Sequence, residues 1–339
     1  MNRLDKFKSF SGEYKLMWIC IALAVIGLAV DVNFFSFFNI NSLFFQVAIL
    51  GLLAIGQSIV ILIGGIDLSV GNVASMTTVF ISWAMMQLSG IMTGDVGITI
   101  LSLLIAVGFA LLLGLISGLS VAYLKVPPII STLGTMWIAK ALAFYMFGGQ
   151  AQSFEVSGFQ IIGSINIGSI PLVFFIVVAI LAIVYVILTR TKTGRSLYAI
   201  GGNEFAAYIS GIKINRYKLG AYLTAALCSG VAGIFIAAYT KTGYARSGDG
   251  YELIAIAGVI IGGFSMAGGK GNIINSMLGI LLLRLLSKLL IFAGLSGYLE
   301  NLWVGLILIG ALILNDVKIE RKTTIKTNGI RKQPEFEAE

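Results

Sequence analysis

The chain has no histidine and only two cysteines, Cys20 and Cys228, in 339 residues. Without histidine there is no His-based catalytic triad, no imidazole ligand for a metal or haem, and no imidazole proton relay. The cysteines lie far apart within apolar runs, which fits neither a disulfide framework nor a metal site. Charge is scarce as well. Asp, Glu, Lys and Arg make up 11% of the residues, against 58% hydrophobic ones. A soluble domain of this size would need about twice that charge to cover its core.

What is present comes in apolar blocks of roughly 20 residues, enough to cross about 30 Å of hydrocarbon as a helix. The pattern predicts an all-α polytopic membrane protein with about ten embedded segments. They are Leu16–Val30, Leu43–Ile63, Leu68–Leu88, Ile98–Leu124, Ile129–Phe147, Ile170–Leu188, Leu219–Tyr239, Leu253–Phe264, Ile273–Ala293 and Leu302–Leu314. The third and eighth are rich in small or polar residues, and the eighth is short. The net charge of +8 belongs to membrane edges rather than to a nucleic-acid surface. Lysine and arginine crowd residues 1–15, the loop 189–218 and the tail 316–339, and are absent from 31–42, 89–96 and 148–169. With both termini inside, all three basic segments face the cytoplasm. This divides the chain into a cytoplasmic N-terminus (1–15), a transmembrane domain (16–315) and a tail expected to be disordered (316–339). The first apolar run has basic residues before it and a small-x-small pattern at Gly27-Leu28-Ala29, but no polar stretch follows it, so it reads as an uncleaved helix.

One stretch breaks the apolar text. Between Leu43 and Gly94 the sole charge is Asp67, in GGIDLSVGNV. A mid-membrane aspartate costs about 2.5–3.5 kcal/mol on insertion scales, so it faces protein or water. Gly64, Gly65 and Gly71 weaken the helix, and irregular backbone at this depth must line a protein cavity. Asp67 before Leu68-Ser69 also reads as a helix N-cap at the cytoplasmic interface. The stretch therefore predicts a helix that stops and restarts. A faint echo, Ile261-Gly262-Gly263 followed by Gly271-Asn272, matches Ile63-Gly64-Gly65 followed by Gly71-Asn72. Paired glycine breaks point to a transporter built from repeats. On this span count both copies face the same side, so they do not by themselves make an inverted repeat.

The basic loop TRTKTGRSLYAIGGNEFAAYISGIKINRYK is too long for a turn and too basic for lipid. Ser196–Ile200 and Glu204–Ile209 are predicted as short helices joined by Gly201-Gly202, with Asn203 as cap. Such an elbow suits a membrane subunit that receives force from a soluble partner. A plain positive-inside loop would need the charges but not the patterned glycines.

Together, GGIDLSVGNV, TGRSLYAIGGNEFAAYISGI and GYELIAIAGVIIGGFSMAGGKGN, in this order and spacing, resemble the permeases of bacterial ABC importers of the ribose, xylose, galactose and autoinducer-2 type. The similarity runs from about Leu50 to Asn315. It implies a type II importer-like fold with inverted repeats in the bacterial cytoplasmic (inner) membrane. It also implies a permease dimer, two cytosolic ABC ATPases and an extracytoplasmic substrate-binding protein. By motif, Arg195, Gly201, Gly202, Asn203, Glu204 and Gly211 would couple to the ATPase. Gly64, Gly65, Asp67, Ser69, Gly71 and Asn72, with Gly262, Gly263 and Ser265, would line the pathway. The chain would perform no bond chemistry and hold no cofactor, ATP belonging to the partner. Independently, GGKG at Gly268–Gly271 lacks the spacing and the following Ser/Thr of a phosphate loop, so energy must come from a partner or a gradient.

Further residues carry expectations of their own. Arg246, Asp249 and Glu252, in the loop Thr240–Glu252, form the densest charge group outside and would dock the binding protein. Arg284 and Lys288 lie four apart inside LLLRLLSKLL, where the resembled family has uncharged residues. Either they form a basic patch favouring an anionic solute, or the helix is short or tilted and both reach a cytoplasmic or headgroup environment. Gly114-x-x-x-Gly118 and Gly258-x-x-x-Gly262 permit close helix contact. The rival to the importer reading is an ion-coupled secondary transporter, for which Asp67 is the one plausible membrane carboxylate. A multipass enzyme finds no nucleophile–base pair.

Overall fold

The computed structural model describes residues 15–155 and 157–295, with positions 302, 305, 306, 309 and 310. The basic residues before Lys15, most of the expected span Leu302–Leu314 and the tail 316–339 lie outside the described residues.

Among the described residues the chain forms α1 (Lys15–Val30), α2 (Phe37–Leu62), α3 (Val70–Ser89), α4 (Asp95–Ala122), α5 (Pro128–Phe147) and α6 (Ser157–Ser164). There follow α7 (Leu172–Arg190), α8 (Lys192–Gly202), α9 (Glu204–Ile209), α10 (Ile214–Thr240), α11 (Tyr251–Ile261) and α12 (Ile273–Phe292). Two short strand pairings, one long-range and one a hairpin, complete it. Gln152–Ser153 pairs antiparallel with Thr242–Gly243, and Asn166–Ile167 with Ile170–Pro171. The protein is a multi-pass helical membrane protein, as the composition predicts.

Six described helices are long and apolar enough to cross a bilayer: α2, α4, α5, α7, α10 and α12. The expected first and eighth segments appear as the shorter apolar helices α1 and α11. The third is α3, a full 20 residues but too polar to count as a span by composition. The reason is its position. Asn72, Ser75, Thr77, Thr78 and Ser82 on α3 are all buried, and their hydroxyls bond mostly to backbone carbonyls one turn back or to the segment after α10. Thr78 Oγ1, for example, donates to Ser75 O at 2.7 Å and accepts from Tyr244 N at 3.1 Å. A helix sheathed by other helices need not be oily on every side.

The bundle thus has a centre and a rim. The most apolar window of α2 is 94% buried, whereas those of α5 and α7 are 22% buried and leave their apolar sides for lipid. α10 packs across α2, α3 and α4. Both small-x-x-x-small spacings are used in helix packing, the first against α10 and the second against α12. Gly114 and Gly118 of α4 meet Ala226 and Leu219 of α10, while Gly258 and Gly262 of α11 meet Gly279 and Asn275 of α12. Lipid offers helices no hydrophobic gain on association, so close backbone approach of this kind carries the packing.

Helices α8 and α9 lie at one end of the bundle, called here the elbow end. α2 finishes and α5, α10 and α12 begin there.

A side chain at Gly279 would collide with the Gly258 carbonyl, whereas Gly108 faces open space. Gly279→Val is expected to cost about 1–3 kcal/mol through overpacking. Gly108→Ala is expected to be neutral or to stabilise by up to about 1 kcal/mol. Thermal unfolding of the detergent-solubilised protein checks both.

Candidate functional site

The predicted break is real. α2 ends at Leu62, and Gly64 takes the left-handed conformation at φ +77°. The chain then turns back along the helix it has just left. Gln57 of α2, its amide oriented by the surrounding hydrogen bonds, donates to Asp67 O at 3.0 Å and accepts from Asp67 N at 3.2 Å. Ile66 O accepts from Thr132 Oγ1 of α5 at 3.4 Å. Helix then resumes at Val70.

Asp67 differs from the expectation of an interfacial N-cap. Ser69 holds the cap position of α3 without a side-chain cap bond. Asp67 stands two residues earlier, where its Oδ1 accepts from Ser69 N at 2.8 Å and Ser69 Oγ at 2.6 Å. It is 2% exposed, so it lies within protein rather than at an interface. The correction has a physical cause: the segment 64–69 climbs back into the bundle before helix resumes, carrying the carboxylate inward. Gly71 and Asn72 fall inside α3, and Gly71 leaves room for the Glu252 carboxylate and the Gly248 carbonyl.

The second break, between α11 and α12, is a tight turn. Ser265 N donates to Lys270 O at 3.1 Å and Gly268 N to Ser265 O at 2.9 Å. Gly263, Gly268 and Gly269 have φ of +90°, +85° and +70°, which glycine alone adopts without strain. Asn272 caps α12 by accepting from Ile274 N at 3.0 Å.

The elbow follows the predicted plan with one adjustment. Asn203 caps α9, its Oδ1 accepting from Ala206 N at 2.9 Å. Gly201 and Gly202 belong to the last turn of α8 rather than to a joint between helices. Their lack of side chains serves contact. A Cβ on Gly201 would strike the Leu62 carbonyl and the Gly269 amide, and one on Gly269 would strike Gly202. Gly269 N donates to Leu62 O at 2.8 Å, and Tyr198 Oη of α8 donates to Gly271 O at 2.8 Å. Burial, and after it the nearby Tyr185, raises the Tyr198 phenol pKa, so it stays a donor. Three motifs that are far apart in sequence thus meet in one glycine seat. The sequence places the elbow and the breaks apart, and no local signal joins them. Arg195, Glu204 and Gly211 point to solvent, with Glu204 held by Lys218 Nζ at 2.8 Å.

The charge group expected outside is placed differently. The chain after α10 descends along α3: Thr78 Oγ1 accepts from Tyr244 N, and Ser75 Oγ accepts from Gly248 N at 2.7 Å. Ala245 and Gly248 are buried. Asp249 pairs with Lys140 of α5 at 3.2 Å, Arg246 sits 5.5 Å from the Phe144 ring centroid, and Glu252 opens α11 beside Gly71. At 1.5 Å per residue, Lys140 lies about 18 Å along α5, roughly midway across the hydrocarbon. Asp249 and Glu252 therefore lie at the interior depth of the bundle, whereas Arg246, beside Phe144, stands about one helical turn nearer the far end of α5.

Arg284 and Lys288 take different placements: Arg284 lines a cavity inside the bundle, and Lys288 sits beside the first turn of α2. Arg284 is 7% exposed and lies about 16 Å along α12 from the elbow end. Its Nη1 donates to Gln46 Oε1 of α2 at 3.3 Å. Lys288, further from the elbow, donates to Asn39 O and sits 5.6 Å from the Phe34 ring centroid. α12 is a full 20 residues, and α2 supplies polar partners to both cations.

Residues 39–315 match the family described as branched-chain amino acid transport system / permease component. The chain belongs to this permease family. It is 35% identical over 298 residues to the ribose import permease protein RbsC of Bacillus subtilis, covering 87% of this chain and 90% of that one. It is 33% identical to the L-arabinose transport system permease protein AraH of Escherichia coli, covering 91% and 92%. With the galactose/methyl galactoside import permease protein MglC of Haemophilus influenzae it shares 28% identity over 95% of this chain and 100% of that one. No solved structure matches the permease significantly. The relatives are named as transport permeases, and the glycine seat is where this permease joins its soluble elbow to its membrane core.

Asp67→Ala is expected to lower stability by about 1–3 kcal/mol, since Ser69 N–H and Oγ would lose a buried acceptor. Asp67→Asn retains an oxygen there and should lose far less. Melting temperatures in detergent distinguish the two.

Proposed function

We propose that this permease is the membrane subunit of an ATP-driven, binding-protein-dependent importer for a small polar, sugar-like solute. The observation that carries the proposal is the elbow: a pair of short helices seated by glycine on both helix breaks, with apolar side chains pointing away from them. Phe205, Tyr208 and Ile209 of α9 are 72%, 69% and 68% exposed. Exposed apolar groups on a short helix at the end of the bundle want a protein surface to cover them. Our reading gives that surface to a cytosolic ABC ATPase, which binds the ATP; the permease holds no cofactor and performs no bond chemistry. A second permease, the same chain or a sister, and an extracytoplasmic binding protein complete the assembly in the bacterial cytoplasmic membrane, both termini inside. Nucleic acid has no part in it.

The mechanism follows from the contacts. Closure of the ATPases moves α8–α9, and Gly201-Gly202 bear directly on the Leu62 carbonyl and the Gly268–Gly269 turn. Both breaks therefore move with the elbow, and the bundle alternates its opening. The sugar-like solute rests on the named relatives. The ion-coupled alternative is disfavoured by Asp67, which is sealed in protein and committed to Ser69 instead of facing a water-filled route.

Affinity purification of the tagged permease from its native membranes is expected to recover a Walker-motif ATPase in stoichiometric amount. Phe205→Asp should abolish that recovery while membrane insertion persists. Recovery of the permease alone, under conditions that keep other transporters whole, would overturn the reading. Gly201→Val should retain the ATPase yet reduce uptake, because the elbow would dock without its seat.

A further inference from the structure

Between α2, α10, α12 and the descending segment 244–251 lies a cavity of about 660 Å³, within the size range of small-molecule sites. It is lined from the half of the membrane away from the elbow down to mid-depth. Tyr239 of α10, stacked on Phe45 with centroids 3.9 Å apart, and Tyr251 at the head of α11 give it aromatic walls. Gln46, Ser247, Asp249 and Arg284 give it polar ones. The Arg284–Gln46 hydrogen bond fixes a guanidinium on one side, and the Lys140–Asp249 pair fixes a carboxylate on another. A route that only passed water or ions would gain nothing from flat apolar walls. A pocket for an apolar ligand would not keep a guanidinium, a carboxylate and an amide on its lining.

We propose that this cavity is a solute site within each permease, and that it takes an uncharged, polyhydroxylated ring, a monosaccharide, by stacking on the tyrosines and hydrogen bonding to Gln46, Ser247, Asp249 and Arg284. This rests on the importer reading above and adds to it a site and the neutral charge of its ligand. A sugar presents C–H faces to the aromatics and donors and acceptors around its rim. Asp249 answers its hydroxyl hydrogens and Arg284 its oxygens. The lining holds both signs of charge, so Arg284 acts as a directed donor rather than as a basic trap, and an anionic solute gains no advantage. The site lies at the depth where the descending segment meets α3 and α11. The head of α11 is one of its walls, and the second break hangs from the other end of that helix.

The test uses the complete importer, with its ATPase and binding protein, in proteoliposomes given ATP inside a regenerating system. D-ribose, L-arabinose, D-galactose and D-galacturonate are offered as labelled probes. No ATP-dependent uptake of any neutral sugar defeats the importer reading itself. Where one neutral sugar is taken up, Ala151→Cys, at a lining position given no hydrogen bond to the sugar, supplies a thiol in the cavity, since Cys20 and Cys228 are buried. A membrane-impermeant methanethiosulfonate is expected to modify it and block uptake, and millimolar transported sugar, with the binding protein omitted, to slow the modification several-fold. Gln46→Leu and Ser247→Ala are expected to change the uptake ratio between the transported sugar and a second sugar by about 3- to 10-fold, the worth of one hydrogen bond. A merely structural role would lower both sugars alike. Modification that the sugar does not slow, together with unchanged sugar ratios, overturns the site. Preferential uptake of galacturonate over galactose overturns the neutral ligand class.

Discussion

Every unusual feature of this permease answers one constraint: a backbone carbonyl or amide inside hydrocarbon has no water to turn to. Breaking α2 at Leu62 frees carbonyls that an unbroken helix would have used. The structure satisfies them with other backbone, a side-chain amide and a hydroxyl. Gly269 takes Leu62 O, Gln57 takes both polar groups of Asp67, and Thr132 reaches Ile66. Each of these partners comes from a different element, so the break can exist only where several helices converge. The helix break is for that reason a packing centre as well as a loop.

Glycine makes the convergence possible. A backbone-to-backbone approach such as Gly201 on Leu62 leaves no space for a side chain, and the left-handed turns at Gly268 and Gly269 would strain any other residue. The consequence is mechanical. Contacts between main chains transmit displacement with little slack, whereas long side chains would absorb it by changing rotamer. An elbow meant to move two breaks at once is best joined to them by backbone, and that is the joint found here.

The sequence made the spans legible because apolar length is a one-dimensional property. The helix break around Asp67 and the cap at Asn203 were legible too, since each is decided by residues within a few positions. What could not be read was depth. Asp249 looked external because it follows a helix end in a polar stretch, yet Ser75 and Thr78 of α3 provide the bonds that draw its segment inward. Arg284 looked stranded in LLLRLLSKLL because its partner, Gln46, is 238 residues away. The polarity of α3 was visible from the start, but it read as doubt about a span rather than as the surface on which another segment would lie.

These misplacements have a common source. A polar residue in an apolar run is costly only against lipid, and the sequence does not say which face meets lipid. Once α3 is central, its hydroxyls stop being a liability and become the binding surface for the segment 244–251. That segment then brings Asp249 to Lys140, and its end starts α11 at mid-depth rather than at the membrane edge. A half-length α11 follows necessarily: 11 residues span only about 16 Å. The short helix, the buried serines and the displaced charges are one arrangement, and it leaves the middle of the bundle polar on one side while its rim stays apolar enough to sit in a membrane.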